Sequence, residues 1–301
     1  MRIAFFSFYG VAVTKLRDNS GGTDYGNHLY YPYNVYCQCL LSKGHMIVGT
    51  HELFDVAIFL DLNESLYCTA KSLGKHIKKI LVSVESPIYC PFVNNFEVLT
   101  DDVWDSVLSY NRSFVSEKIF HYDIPVTGNI NKLSFEFPEK NARGVTVSSF
   151  KNDPRGYVPL RRDKMLKSLA ENDEINIFGH GWKKGKNING KTSNKIESMK
   201  KHSFALVIEN SKYDGYVTEK LGDAILSGLP SIYFGDFDGA ERRFPGTFVV
   251  LDDLSYHSFI KSKLQLFENY NYIVSNVKKS FEESDSWMET FFIAMDRAIF
   301  S

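Results

Sequence analysis

Short apolar runs separated by amphipathic stretches recur along the whole chain, with lengths that favour strands alternating with helices. Positions 2–8, 46–48, 56–60 and 80–84 are strand-like, helix-like segments fall at 30–41 and 70–79, and Gly44 stops the first helix. A polar stretch broken by Pro138 interrupts the pattern between 125 and 144. It resumes with strands at 145–148 and 175–178 around a helix at 161–170. The continuous apolar run 204–208 follows, with the length expected of a strand covered on both faces. A helix at 218–227, stopped by Gly228 and Pro230, leads to a strand at 231–234. Positions 281–300 set Trp287, Phe291, Met295 and Ile299 near one stripe of a terminal amphipathic helix. The alternation predicts an α/β protein with parallel sheets and right-handed crossovers. Two domains are expected, 1–140 and 141–285, with a terminal helix at 286–301 able to pack back on the first.

Composition removes several function classes. With 35 basic and 36 acidic residues and a net charge of −1, a nucleic-acid partner bound through bulk charge is not expected. No apolar run reaches the length of a membrane span, and no leader or anchor is visible. The expectation is a cytoplasmic protein without an integral membrane segment, compatible with peripheral contact at the inner face of the membrane. Cys37, Cys39, Cys68 and Cys90 lack CxxC spacing and neighbouring histidines, so they read as buried or incidental thiols in a reducing compartment.

Candidate chemistry concentrates in IENSKYDGYVTEKLGDAILSGLPSIYFGD, 208–236. Glu209 and Asn210 stand at the exit of the apolar strand, and Glu219 and Lys220 at the start of the next helix. Open α/β sheets bind ligands where strand carboxyl ends face helix amino ends. A glutamate suits the helix dipole there; a lysine opposes it, and a bound anion would supply its reason.

Other strings compete with this reading. GKNINGKT at 185–192 fits a phosphate-binding P-loop, whose backbone N–H groups wrap phosphates only when a strand ends at the first glycine and a helix begins at the lysine. Here the nearest strand-like run ends at Phe178 and a polar SNKIESMKKH follows, so Lys191 reads as part of a solvated basic loop. Gly179-His180-Gly181 with Gly185 approximates a dinucleotide fingerprint, with the third glycine misplaced. Asp236-Phe237-Asp238 could share a divalent ion with a diphosphate, but Gly235 and Gly239 flank it and favour a turn. Glu85 follows the strand-like ILVSV, and Pro87 imposes extended geometry on Ser86. Such a carboxylate is either solvated or, inside an interdomain cleft, a poised base.

Taken together, FALVIENS followed by GYVTEKLGDAI resembles the α1,3/4-fucosyltransferase family, whose donor domain carries FxLxFENS and YxTEKL. The likeness extends upstream to VTVSSFKNDPRGYVPLRRDKMLKSLAENDEINIFGHG and downstream to GDFDGAERRFPGTFVVLDDLS. In the first half, VESPIY and WDSVLSYNRS also resemble family segments. The resemblance implies a GT-B architecture of two facing Rossmann-like domains and metal-independent, inverting transfer of L-fucose from GDP-fucose. The acceptor would be a hydroxyl of an oligosaccharide or lipid-linked glycan, in α1,3 linkage, and no cofactor is implied beyond the donor substrate. It makes Arg162 and Lys220 ligands of the diphosphate, Glu219 a catalytic contact to the donor sugar and Asn210 a contact in the nucleotide pocket. Glu209 and Tyr216 would be further donor-binding residues, and Glu85 the general base.

The chain departs from the family pattern at His202-Ser203-Phe204, where an aromatic-lysine pair is usual, and at Ser148-Ser149. The anchoring helix of animal members is not seen, which points to a bacterial member. Three alternatives remain at this stage: the same fold with another GDP-sugar, a P-loop ATP-dependent enzyme, and a non-catalytic nucleotide-binding module. Acceptor recognition is expected from loops of the first domain such as 20–33.

Overall fold

The computed structural model describes residues 1–8, 31–126, 133–139, 143–151 and 157–301, so the expected acceptor loop lies almost wholly outside the described residues. Two six-stranded sheets organise them. The first contains β1 (Arg2–Ser7), β2 (Met46–Val48), β3 (Val56–Leu60), β4 (Lys78–Val82), β5 (Ser106–Ser109) and β6 (Ile119–His121), in the order β2-β1-β3-β4-β5-β6. The second contains β7 (Gly144–Val147), β8 (Ile175–Phe178), β9 (Ile188–Gly190), β10 (Ala205–Ile208), β11 (Ser231–Phe234) and β12 (Phe248–Val250), in the order β12-β11-β10-β7-β8-β9. All these pairs are parallel. In each sheet the strand order reverses beside the first strand, β1 or β7, and such a reversal opens a crevice at the strand carboxyl ends.

Strands β3 and β10, VAIFL and ALVI, are buried at every position, as an uninterrupted apolar run demands when helices cover both faces. The helix Glu219–Leu226 turns Leu221, Ala224 and Ile225 into the second core. Full burial of a Leu or Ile side chain contributes about 1.5–3 kcal/mol, enough to fix the axis of a two-turn helix too short to persist alone.

Three expectations change. The crossover expected at 70–79 is the helix Glu64–Ser72, started by Asn63, whose side chain accepts from the Leu66 amide at 2.8 Å. Lys78 and Lys79 belong to β4, where the buried Lys79 stem lets its ammonium reach the carbonyls of Gly74 and Ile77. The strand expected at 80–84 therefore sits earlier. The terminal helix expected at 281–300, with its domain at 286–301, is broken into Tyr270–Glu282, a 3₁₀ turn Ser284–Met288 and a helix Glu289–Phe300. Trp287 packs against Phe244 in the second core, whereas Phe291, Met295 and Ile299 pack in the first. One stripe thus serves two cores, and the 3₁₀ turn makes the change of direction between them. Cys37, Cys39, Cys68 and Cys90 are free thiols.

Candidate active site

The carboxyl ends of both sheets meet around a cavity of about 270 Å³, with Glu85 in one wall and Arg162, Asn210, Tyr216, Glu219 and Lys220 in the others. In the second domain, Glu209 leaves β10 completely buried. Its carboxylate accepts from the Thr218 amide (2.8 Å), the Thr218 hydroxyl (2.7 Å) and the Lys220 ammonium (2.8 Å). The strand exit is thereby tied to the helix start. Lys220 also donates to Thr218 Oγ1 at 2.8 Å, so two of the three donors of its ammonium are directed at protein. Burial opposes its charge, but Glu209 and Glu219 outweigh that and hold the ammonium above the usual lysine range.

Arg162 projects from the helix Tyr157–Glu171. Its Nε and Nη2 reach Asp163 Oδ1 at 3.0 and 2.9 Å, Nη2 also reaches the Ser149 carbonyl at 3.0 Å, and Nη1 reaches Asn210 Oδ1 at 3.3 Å. The guanidinium is thus fixed in plane by Asp163, Ser149 and Asn210. Ser149 belongs to the departure noted after β7, and its backbone carbonyl carries the contact.

Lys195 and Asp223 also line the cavity, and neither was among the expected site residues. Lys195 Nζ lies 3.3 Å from Asp223 Oδ2 and 3.8 Å from Glu219 Oε1. Burial pushes the Asp223 carboxyl up to about 7 against the attraction of Lys195. Burial also raises Glu219, but Lys220 and Lys195 outweigh it and hold that carboxyl at about 2. A signal for Lys195 exists in the sequence: Asn194 caps the helix Lys195–Met199, and Ile196 and Met199 are its buried face, so this lysine is anchored rather than solvated.

In the first domain Glu85 follows β4. Its amide donates to Asp61 Oδ1 at 3.0 Å, its carbonyl accepts from the Tyr110 hydroxyl at 3.0 Å, and its Oε1 accepts from the Ser86 amide at 2.8 Å. The Tyr216 hydroxyl, carried by the second domain, donates to the same Oε1 at 2.8 Å. Gly215 makes this approach possible. It sits at φ +72°, and a Cβ on it would lie 2.0 Å from the Tyr110 carbonyl oxygen.

The competing strings fall elsewhere. In 185–192 the strand β9 runs through the centre of the string, Lys191 is exposed and the next helix begins only at Lys195, so the strand-loop-helix order of a P-loop is missing. Asp236 precedes the helix Phe237–Arg243 and accepts from the Gly215 amide at 2.8 Å, while Asp238 is exposed in its first turn. Among the described residues, no group of three or more His, Cys, Asp or Glu is placed to hold a metal ion. His202 lies outside the cavity walls, its ring bonded to the Met199 carbonyl and Asn176.

Two facing parallel-sheet domains with a cleft at their carboxyl ends define the GT-B glycosyltransferase fold. A solved α1,3-fucosyltransferase with GDP superposes with a TM-score of 0.58, at 16% identity over 97% of this chain and 90% of that one. Phage T4 β-glucosyltransferase superposes with a TM-score of 0.52, at 15% identity over 98% of this chain and 100% of that one. The model of the C-terminal region of glycosyltransferase family 10 (fucosyltransferase) matches residues 138–292, and the chain belongs to this family. The Mus musculus 4-galactosyl-N-acetylglucosaminide 3-alpha-L-fucosyltransferase 9 is 26% identical over 196 residues, 64% of this chain and 50% of that protein. The chain spans about half the length of the curated relatives it matches.

Proposed function

We propose that the chain transfers L-fucose from GDP-fucose to a hydroxyl of an acceptor glycan by direct displacement with inversion. The observation that carries this reading is the shared cavity, which sets Glu85 of one domain opposite Arg162, Asn210, Glu219 and Lys220 of the other. Family membership supports fucose as the sugar; the fold, shared with a glucosyltransferase, leaves that choice to the pocket.

In this reading the acceptor oxygen attacks the anomeric carbon from the face opposite the diphosphate. As the new C–O bond forms, the hydroxyl proton passes to Glu85, and the breaking bond leaves its electron pair on GDP. Arg162 and Lys220 oppose the charge that develops on the diphosphate, and Lys195 adds a third cation in the same wall. Glu219, ionised throughout the working range, offsets positive charge on the sugar ring. Glu209 acts through Lys220, whose ammonium it holds in place. These cations supply the compensation that a divalent ion supplies in other glycosyltransferases, so activity is expected to survive chelation.

A panel of GDP-sugars with and without glycan acceptors tests the proposal. GDP-fucose should be consumed fastest, in an acceptor-dependent manner, with inversion at the anomeric carbon seen by NMR. Faster turnover of another GDP-sugar would move the assignment to a different donor. ATP binding that depends on Lys191 would contradict it altogether.

A further inference from the structure

Tyr216 and Glu85 are 131 positions apart and belong to different domains, yet they share a hydrogen bond of 2.8 Å at the edge of the cavity. We propose that Tyr216 is a positioning residue for the base: its hydroxyl fixes the Glu85 carboxylate in one orientation and ties it to the loop that begins the donor helix. The inference rests on the reading of Glu85 as the general base.

The geometry of Glu85 supports it first. Oε1 accepts two donors, the Ser86 amide and the Tyr216 hydroxyl, and two donors on one oxygen restrain the terminal torsion that is otherwise broad in glutamate. With its amide on Asp61 and its carbonyl under Tyr110, the backbone is held as well. Tyr216 is equally constrained. It is buried, its ring lies 5.4 Å from that of Tyr110, and it counts among the core of the first domain although the second domain carries it. Three further links fasten its loop. Ser113 donates to Asp214 at 3.1 Å, Gly215 to Asp236 at 2.8 Å, and Arg243 to the Val217 carbonyl at 3.2 Å.

The charge surroundings agree. Burial foremost, then the charges of Glu85 and Glu209, raise the Tyr216 hydroxyl well above the usual tyrosine range, so it remains a donor at any working pH. Glu85 is faced by Asp61 through its amide, by Cys90 and Tyr110 from its own domain, and by Tyr216 and Lys220 across the cleft. Only Val217 separates Tyr216 from Thr218, Glu219 and Lys220 at the helix start, so a shift of the donor helix is transmitted to the carboxylate of the base.

Tyr216→Phe keeps the ring and its packing while deleting the hydroxyl. A hydrogen bond donated to a carboxylate favours the ionised form, so its loss should move the acidic limb of the kcat/KM profile upward by about 0.5–1 pH unit. The turnover at neutral pH should fall roughly three- to thirtyfold, with GDP affinity within about threefold of wild type. Replacing Tyr216 by a ring-fluorinated tyrosine, a stronger donor, should move the limb the other way. If both replacements leave the limb unmoved and the loss appears as weaker GDP-fucose binding, Tyr216 is a donor contact alone and the inference fails. Parallel data on Glu85→Gln separate that failure from failure of the premise: if the limb persists in Glu85→Gln, the base is another residue.

Discussion

At the mouth of the first sheet Glu85 is held by an amide and a phenol, whereas at the mouth of the second Asp163, Glu209 and Asp223 each lie against a cation, Arg162, Lys220 and Lys195. The contrast separates two uses of a carboxylate. In the proposed reading the Glu85 carboxylate takes up a proton, while Asp163 and Glu209, bonded to a guanidinium and an ammonium, aim those cations. Pairing also explains how the second mouth accommodates its buried charges. Buried charges are tolerated when they are matched and hydrogen-bonded, and the removal of one partner from such a pair typically costs about 3–5 kcal/mol.

The largest effect should come from breaking the first kind of site. Glu85→Gln preserves size and most hydrogen bonding but removes the proposed proton acceptor. Transfer should fall by about 10²–10⁴, and the acidic limb of the pH–rate profile should disappear. A variant within tenfold of wild type with the limb intact would show that the first mouth is not where the proton goes.

Lys220→Ala should come next, with a loss on the order of 2–4 kcal/mol in transition-state stabilisation. The comparison predicts a second consequence, because Glu209 would be left buried without its cation. Thermal stability should therefore fall too. The double variant Lys220→Ala with Glu209→Gln should regain most of that stability while remaining inactive. Full recovery of activity in the double variant would show that the pair serves folding alone.

Asp223 offers a smaller, pH-dependent effect. Its folded-state value, about 7, lies above the ordinary aspartate value, so the folded chain holds this proton more tightly than the unfolded chain. The stability it contributes is present below about 4 and is lost as pH rises through about 7. Asp223→Asn removes that loss. Its Tm relative to wild type should rise between about pH 5 and pH 8 by several degrees, equivalent to about 2–3 kcal/mol. A difference that stays flat across that range would remove the unusual protonation of Asp223 from the account. Smallest of all, Lys191→Ala and Asp238→Asn alter exposed side chains away from the cavity, and each should leave turnover within about twofold, with or without EDTA.

Which parts of this arrangement the sequence revealed follows from the physics of each part. The run before Glu209 is legible because a strand covered on both faces must be apolar throughout. Lys220 is legible because a lysine in the first turn opposes the helix dipole and asks for a reason. By contrast β5, β6 and β9, with sequences SVLS, IFH and ING, carry at most two adjacent apolar residues each, too few to mark a strand. The lysines before Ile80 fall at the edge of the helix-like 70–79, whereas a lysine stem can be buried along a strand while its ammonium finds carbonyls. Lys195 stands out from the neighbouring lysines only through the short capped helix it begins. The Tyr216–Glu85 contact joins two domains, and no local pattern encodes a meeting between loops of separate sheets.

The division of labour between the two mouths is tested most directly by calorimetric titration of GDP into wild type, Glu85→Gln and Lys220→Ala under one set of conditions. Glu85→Gln should bind GDP within about threefold of wild type, a difference of roughly 0.7 kcal/mol, because in the proposed reading its carboxylate serves the acceptor side. Lys220→Ala should bind at least about tenfold more weakly, because in the proposed reading its ammonium meets the diphosphate. Equal weakening in both variants, or undiminished affinity in Lys220→Ala, would contradict the account.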